Sequence, residues 1–192
     1  MAANPSEISP LRSFTHYITG HDAEGKALIH SSTPSQWQTF EGAATAFDLI
    51  YTTGQFPVNL NGDADIRAHE QLIQSGQLGP VNPNGTVCRV VDFGPHNLFL
   101  MHRTQSLDYG VVLEGEMEML VDVGDPVLMK RGDVIVQRAT LHGWRNPSET
   151  EWARMFFVLQ ECQPVTIGGK ELKEDLGFAA EEGIINSSRN DQ

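Results

Sequence analysis

The sequence predicts an all-β protein built as a small barrel or sandwich. From residue 86 onward, short apolar runs follow in close order: "TVCRVVDFGP", "NLFLMHR", "YGVVLEG", "EMEMLVDVG", "DPVLMKRGD", "VIVQRAT", "LHGWRN" and "EWARMFFVLQ". Each is bounded by Gly, Pro, Asp or Asn, and strands spaced by roughly 8–12 residues with turn signals between them point to this class. In "EMEMLVD", Met117, Met119 and Val121 share one face, while Glu116, Glu118 and Leu120 share the other. That period of two marks a strand with one buried face.

The elements can be justified in order. Residues 1–12 read as an arm rich in proline. "HYITGHDAEGKALIHSS" predicts two short strands around the turn "GHDAEG", with His16, His21 and His30 as exposed strand or loop residues. "AFDLIYTTGQFPVNL" predicts a further strand ending at Pro57. "DADIRAHEQLIQSG" predicts one short helix, capped by Asp63 or Asp65 and ended by Gly76, with His69 on its exposed side. The barrel strands follow, and Gly115 in "LEGE" marks a tight turn where positive φ is cheap for glycine alone. After Pro164 we expect a last strand, a short acidic C-terminal helix and a tail. The expected organisation is a single domain: an N-terminal extension at 1–85, a barrel core at 86–162, and a strand, helix and tail at 163–192.

Composition narrows the function. The chain has 192 residues and a formal charge of −12, from 13 basic and 25 acidic residues, with only four lysines and no basic run. Nucleic acids and anionic membranes need clustered Lys and Arg, so neither is an expected partner. Cys88 and Cys162 each lie in an apolar run and read as buried free thiols rather than a disulfide framework. The sequence has no apolar stretch near the ~18 residues that span a bilayer. A soluble, cytoplasmic protein is the expectation.

The stretch "LFLMHRTQSLDYGVVLEGE" carries the candidate chemistry. Residues two apart on a strand share a face, so His102 and Thr104 face together, with Leu98 and Leu100 below them. Asp108 follows after a short reversal. Downstream, "RATLHGWRN" places His142, and Asn146 four residues later, on another inward-facing strand. Imidazole and carboxylate converging from neighbouring strands are competent metal ligands.

These residues resemble the two motifs of the cupin superfamily. The first motif is a glycine, His-x-His, a glutamate and a glycine. Here it reads Gly94, His102, Thr104, Asp108 and Gly115. The second begins with glycine and ends in a histidine followed by an asparagine, here Gly132, His142 and Asn146, with Arg138 and Thr140 where the family has proline and glycine. Thr104 stands where the family has its second histidine, and Asp108 where it has glutamate. The chain is most similar to small stand-alone fungal cupins that share "HRT-x-S-x-DYG-x-VLEGE" and an N-terminal "TGH…GK" and "FPV" region.

The resemblance implies a cupin jelly-roll β-barrel (the RmlC-like fold) with an N-terminal extension of strands and a short helix. It implies an enzyme of secondary metabolism, an oxidoreductase or oxygenase acting on a small polyketide-like or aromatic metabolite. His102, Asp108 and His142 would be the metal ligands. Two histidines and one carboxylate suit Fe(II), the favoured ion, and Zn, Mn or Ni would also be accepted. Tyr109 and His96 are candidates for moving a proton, and Arg138 for clamping a substrate carboxylate. Thr104 and Trp144 are candidate pocket residues. Two alternatives stay open: a lyase, decarboxylase, dehydratase, isomerase or cyclase using the metal as Lewis acid, and a non-catalytic binding barrel that has lost its metal. A homodimer is the expected assembly.

Overall fold

The structure is a computed structural model that describes residues 8–39, 44–177 and 185–187. Strands β1 (Thr15–His21) and β2 (Ala27–Pro34) form a hairpin, followed by β3 (Trp37–Thr39) and β4 (Thr45–Thr53). A 3-10 turn at Asn61–Asp63 leads into α1 (Ala64–Ser75). Then come β5 (Thr86–Phe93), β6 (Ser106–Glu114), β7 (Glu116–Val121), β8 (Val127–Lys130), β9 (Val134–Arg138), β10 (His142–Arg145) and β11 (Ala153–Glu161). A last hairpin pairs β12 (Val165–Ile167) with β13 (Lys170–Leu172).

A six-stranded sheet runs β3-β4-β5-β11-β6-β9, and a three-stranded sheet runs β10-β7-β8. The main core lies between them. Val87, Val91, Phe93, Val112, Met155, Phe157 and Leu159 come from the large sheet, and Met117, Met129 and Trp144 from the small one. Met117 and Met155 are fully buried, each contributing roughly 1.5–3 kcal/mol on leaving water. This is an all-β jelly roll, as the strand spacing predicts. The extension does more than pack on the barrel, because β3 and β4 continue the large sheet beyond β5.

The turn residues explain the connections. Gly115 has φ 73° and links β6 to β7, and a Cβ there would sit 3.0 Å from the Ala153 backbone. Gly110 faces the interior of β6, where a Cβ would meet the Phe157 ring at 2.9 Å. Its lack of a side chain lets that ring lie across the strand.

Several expectations need correction. Residues 98–101 form no strand; the chain there makes only isolated bridges, His102 with His142 and Arg103 with Asp175. Here the main chain pairs with β10 through His142 and with the C-terminal segment through Asp175. Asp63 holds the cap position of α1 in left-handed backbone with no side-chain capping bond, whereas Gly76 ends the helix at φ 65° as expected. Val121 is exposed at the end of β7 although Met117 on its face is buried. Cys88 and Cys162 are free and half-buried. His16 is not a bare surface residue, since its Nε2 lies 2.9 Å from the buried Asp48 carboxylate. A short acidic helix is the expectation within "TIGGKELKEDLGFAAEEG" after Pro164. The described part of that stretch holds most of the β12–β13 hairpin and irregular chain, and residues 178–184 lie outside the described residues.

Strand β5 is covered on both faces. On the face away from the main core, Val90 packs with Trp37 and Ala46. Beside them, fully buried Asp92 takes two hydrogen bonds from Arg154 of β11, at 2.5 and 2.7 Å. The Arg154 guanidinium also donates to the Arg12 carbonyl at 2.8 Å and lies over the rings of Phe14 and Trp37. One cation thus ties the N-terminal segment to the sheet. Among the described residues, removing Asp92 would leave the buried guanidinium only the more distant, more exposed Glu114 carboxylate at 3.6 Å, at a cost towards the ~3–5 kcal/mol of a broken buried pair. Asp92→Ala should therefore lower the unfolding free energy by about that amount in urea denaturation. A loss within the ~0–1 kcal/mol of a surface pair would show that Arg154 is paired elsewhere.

His69 also departs from expectation: it is buried, and its Nδ1 accepts from the Thr52 backbone N–H at 3.1 Å and faces the Thr52 hydroxyl at 2.9 Å. Burial holds its pKa below the ordinary histidine value. The unfolded chain therefore takes up a proton near pH 6.5 that the folded chain refuses. This contribution is complete above about pH 6.5 and declines as pH falls below it. Amide exchange in α1 should quicken between pH 7.5 and 5.5 relative to the central strands, and His69→Gln should remove that pH step. Equal exchange at both pH values in the natural chain would refute this.

Candidate active site

Between the sheets lies a cavity of about 540 Å³, within the usual range for small-molecule sites. Its walls are mostly apolar and include Val91, Leu98, Leu100, Trp144, Phe157 and Leu159. Polar side chains set among them include Arg89, His102, Thr104, Asp108, Gln137 and His142.

The strand registers place them. Asp108 on β6 lies opposite Leu159 of β11 and Gln137 of β9. Arg89 on β5 lies opposite Phe157, one row along and two strands away from Asp108. Two strand spacings are about 10 Å, and bare Gly110 of β6 ends the row that Arg89 and Phe157 share. From the facing sheet, β10 contributes His142 and, two residues on, Trp144.

The two histidines are held as a pair. His102 N–H donates to the His142 carbonyl at 2.8 Å, and His142 N–H donates back at 2.9 Å. Their ring centroids are 4.2 Å apart. Each Nδ1 lies 2.9 Å from a backbone carbonyl, Leu100 for His102 and Thr140 for His142. A carbonyl only accepts, so each Nδ1 carries the proton and each Nε2 keeps its lone pair. Burial lowers both pKa values; the neighbouring His102 adds to the effect at His142, which falls to about 3. Both rings are therefore neutral at pH 7.

Asp108 is buried, and among the described residues its Oδ1 has no hydrogen-bond partner. Burial drives its carboxyl up to about 6, against the lowering pull of Ser106 and Arg89. Arg89 donates from Nη2 to the Pro80 carbonyl at 3.0 Å, while its buried Nε–H has no partner among the described residues. Burial lowers its pKa to about 10, so it remains a cation at neutral pH.

The donor chemistry partly fits a metal ion. Two neutral imidazoles with free Nε2 atoms, each oriented through Nδ1, are what a metal-binding histidine pair requires. The expected trio does not close, however. Among the described residues, no group of three or more His, Cys, Asp and Glu side chains could hold a metal ion. Asp108 shares the cavity, but it stands on the large sheet whereas His142 is on the small one, and aspartate is one methylene shorter than the glutamate of the family motif.

Other expected site residues fall outside the cavity. Tyr109 and Arg138 are exposed. Each sits one residue past an inward position (Asp108 and Gln137), and alternation turns each outward. His96 is exposed at φ 56°, beyond the cavity wall. Thr104 and Trp144 do line the cavity, and Thr104 accepts a hydrogen bond from Ser106 at 2.8 Å. Asn146 is a structural clamp: its side chain donates to the Phe93 and Glu151 carbonyls, and its N–H donates to Asn97. Sequence reasoning missed Arg89 and Gln137. The signal was present, since Val87, Arg89, Val91 and Phe93 alternate on the inward face of "VCRVVDF".

A double-sheet jelly roll with a pinned histidine pair at the head of an internal cavity is the architecture of a cupin. The chain belongs to the cupin family: the family described as "Cupin domain" matches residues 89–159. It is 41% identical over 184 residues to phomopsin biosynthesis cluster protein D of Diaporthe leptostromiformis, spanning 95% of this chain and 97% of that one. It is 38% identical over 167 residues to the cupin-domain-containing oxidoreductase virC of Hypocrea virens, spanning 85% and 84%. A solved structure, the polyketide cyclase RemF of Streptomyces resistomycificus, covers 75% of this chain and 80% of its own at 15% identity and a TM-score of 0.45. The relatives support an enzyme of the fungal secondary-metabolism type. Among the described residues, no helix is long and apolar enough to cross a membrane.

The hydrogen bonds of the pair predict a tautomer. Nitrogen-15 spectra at pH 7 should place both His102 and His142 as neutral rings protonated at Nδ1. A ring protonated at Nε2 would remove the free lone pair and with it the metal-binding reading.

Proposed function

We propose that the chain is an oxidoreductase acting on a small, largely apolar metabolite bound in the cavity, with His102 and His142 holding a divalent metal ion. One observation carries this reading: two neutral imidazoles 4.2 Å apart, each with Nδ1 engaged by a backbone carbonyl and Nε2 free. None of the polar side chains that line the cavity is itself redox-active. A bound iron(II), the favoured ion, would supply the electron steps that these side chains cannot. The names of relatives at 38% identity agree with this class.

The chain's own residues have separate tasks. The apolar walls exclude water and strengthen each polar contact inside. Arg89 presents an N–H to a substrate oxygen. Asp108, with its carboxyl near 6, is ionised at neutral pH and close enough to its pKa to take a proton from substrate and return it. Thr104 lines the cavity two residues from His102, where its hydroxyl accepts from Ser106.

A second reading rests on Asp108 itself: a non-redox isomerase, lyase or cyclase that needs only proton transfer and a charged partner for the substrate oxygen. The test separates the two. Protein purified without added metal and loaded anaerobically with iron(II) should bind about one ion per chain. It should also give an iron–nitrosyl resonance on addition of nitric oxide. His102→Ala and His142→Ala should each weaken binding by more than about 100-fold, beyond the loss usual for an outer partner. Absence of stoichiometric binding would reject the redox reading and leave proton transfer.

A further inference from the structure

Among the described residues, two buried polar atoms of the cavity lining have no hydrogen-bond partner, the Arg89 Nε donor and the Asp108 Oδ1 acceptor. Buried polar groups without partners cost stability, so an unmatched donor and acceptor in one cavity describe the ligand that would match them. The other strongly placed arginines are paired: Arg154 with Asp92 and Arg145 with Glu118. Among the described residues, Arg89 has no carboxylate within ion-pair distance; its one hydrogen bond goes to the Pro80 carbonyl.

Charge decides the class of ligand. Among the described residues, the charged side chains of the lining are one cation, Arg89, and one carboxylate, Asp108. These two side-chain charges balance one another, apart from any metal ion at the histidine pair. An anionic ligand would bring a second negative charge near Asp108, and a cation would stand against Arg89. A neutral ligand meets neither penalty.

We propose that the cavity binds a neutral hydroxy-carbonyl compound with an apolar body. Its carbonyl oxygen accepts from Arg89 Nε–H, and its hydroxyl donates to Asp108 Oδ1. The apolar body lies along Leu98, Leu100, Phe157 and Leu159. Arg89 is thereby the residue that selects for the carbonyl, and Asp108 the residue that selects for the hydroxyl. The proposal rests on the cavity being the substrate site, and not on the metal.

Calorimetric titration of the full chain in chelator, free of metal, tests this with 4-hydroxy-2-decanone, 2-decanone, 4-decanol and decanoate. The hydroxy ketone should bind roughly tenfold more tightly than either single-function ligand, as one further hydrogen bond to a charged group would give. Arg89→Met should reduce it to the affinity of 4-decanol, and Asp108→Ala to that of 2-decanone. The four natural-chain titrations stand even if a variant fails to fold. Equal binding of hydroxy ketone, ketone and alcohol overturns the proposal, as does tightest binding of decanoate, which would make the site anionic in preference. Failure of all four to bind overturns it together with the cavity as substrate site, whereas failure of iron loading alone leaves it intact.

Discussion

The strict two-residue alternation of β5 and β6 is the constraint on which the rest depends. On β5 it sends Val87, Arg89, Val91 and Phe93 towards the facing sheet and Val90 and Asp92 towards the N-terminal segment. Slipping that register by one residue would push Asp92 into the cavity and Arg89 out of it. The Asp92–Arg154 pair opposes such a slip, because its two hydrogen bonds form only in the register observed. A salt bridge on one face of the strand thus fixes what the other face presents.

Electrostatics then follow from burial. The same dry walls keep His102 and His142 neutral, lift the Asp108 carboxyl and leave Arg89 charged but weakened. In water these groups would differ little from any others of their type. Two carbonyls give the imidazoles a single tautomer, and that detail separates a ligand pair from two buried aromatic rings.

Much of this was legible in the sequence, and the reasons are local. The barrel strands announced themselves through period-two patterns and turn glycines, and Gly115 and Gly76 took the backbone angles their positions required. His102, Asp108 and His142 were found from motif spacing, and all three reach one cavity. The errors came where alternation has to be counted rather than matched. Tyr109 and Arg138 lie one residue from inward positions, and Arg89 was overlooked because a cation in an apolar run reads as surface. Residues 98–101 misled because apolar composition alone cannot distinguish a strand from an irregular segment that lines a cavity. His69 misled because helical periodicity shows which side a residue faces but not whether another strand waits there.

The reciprocal hydrogen bonds between the main chains of His102 and His142 have a consequence for how such a barrel can change over generations. Backbone pairing holds the two residues opposite one another, with their rings 4.2 Å apart. Walls such as Leu98, Leu100 and Leu159 can therefore be exchanged to admit ligands of other shapes without moving the imidazoles. A scaffold of this kind separates inheritance of the reactive pair from inheritance of ligand choice, so duplicated copies can diverge in what they accept while keeping the same two nitrogens in place.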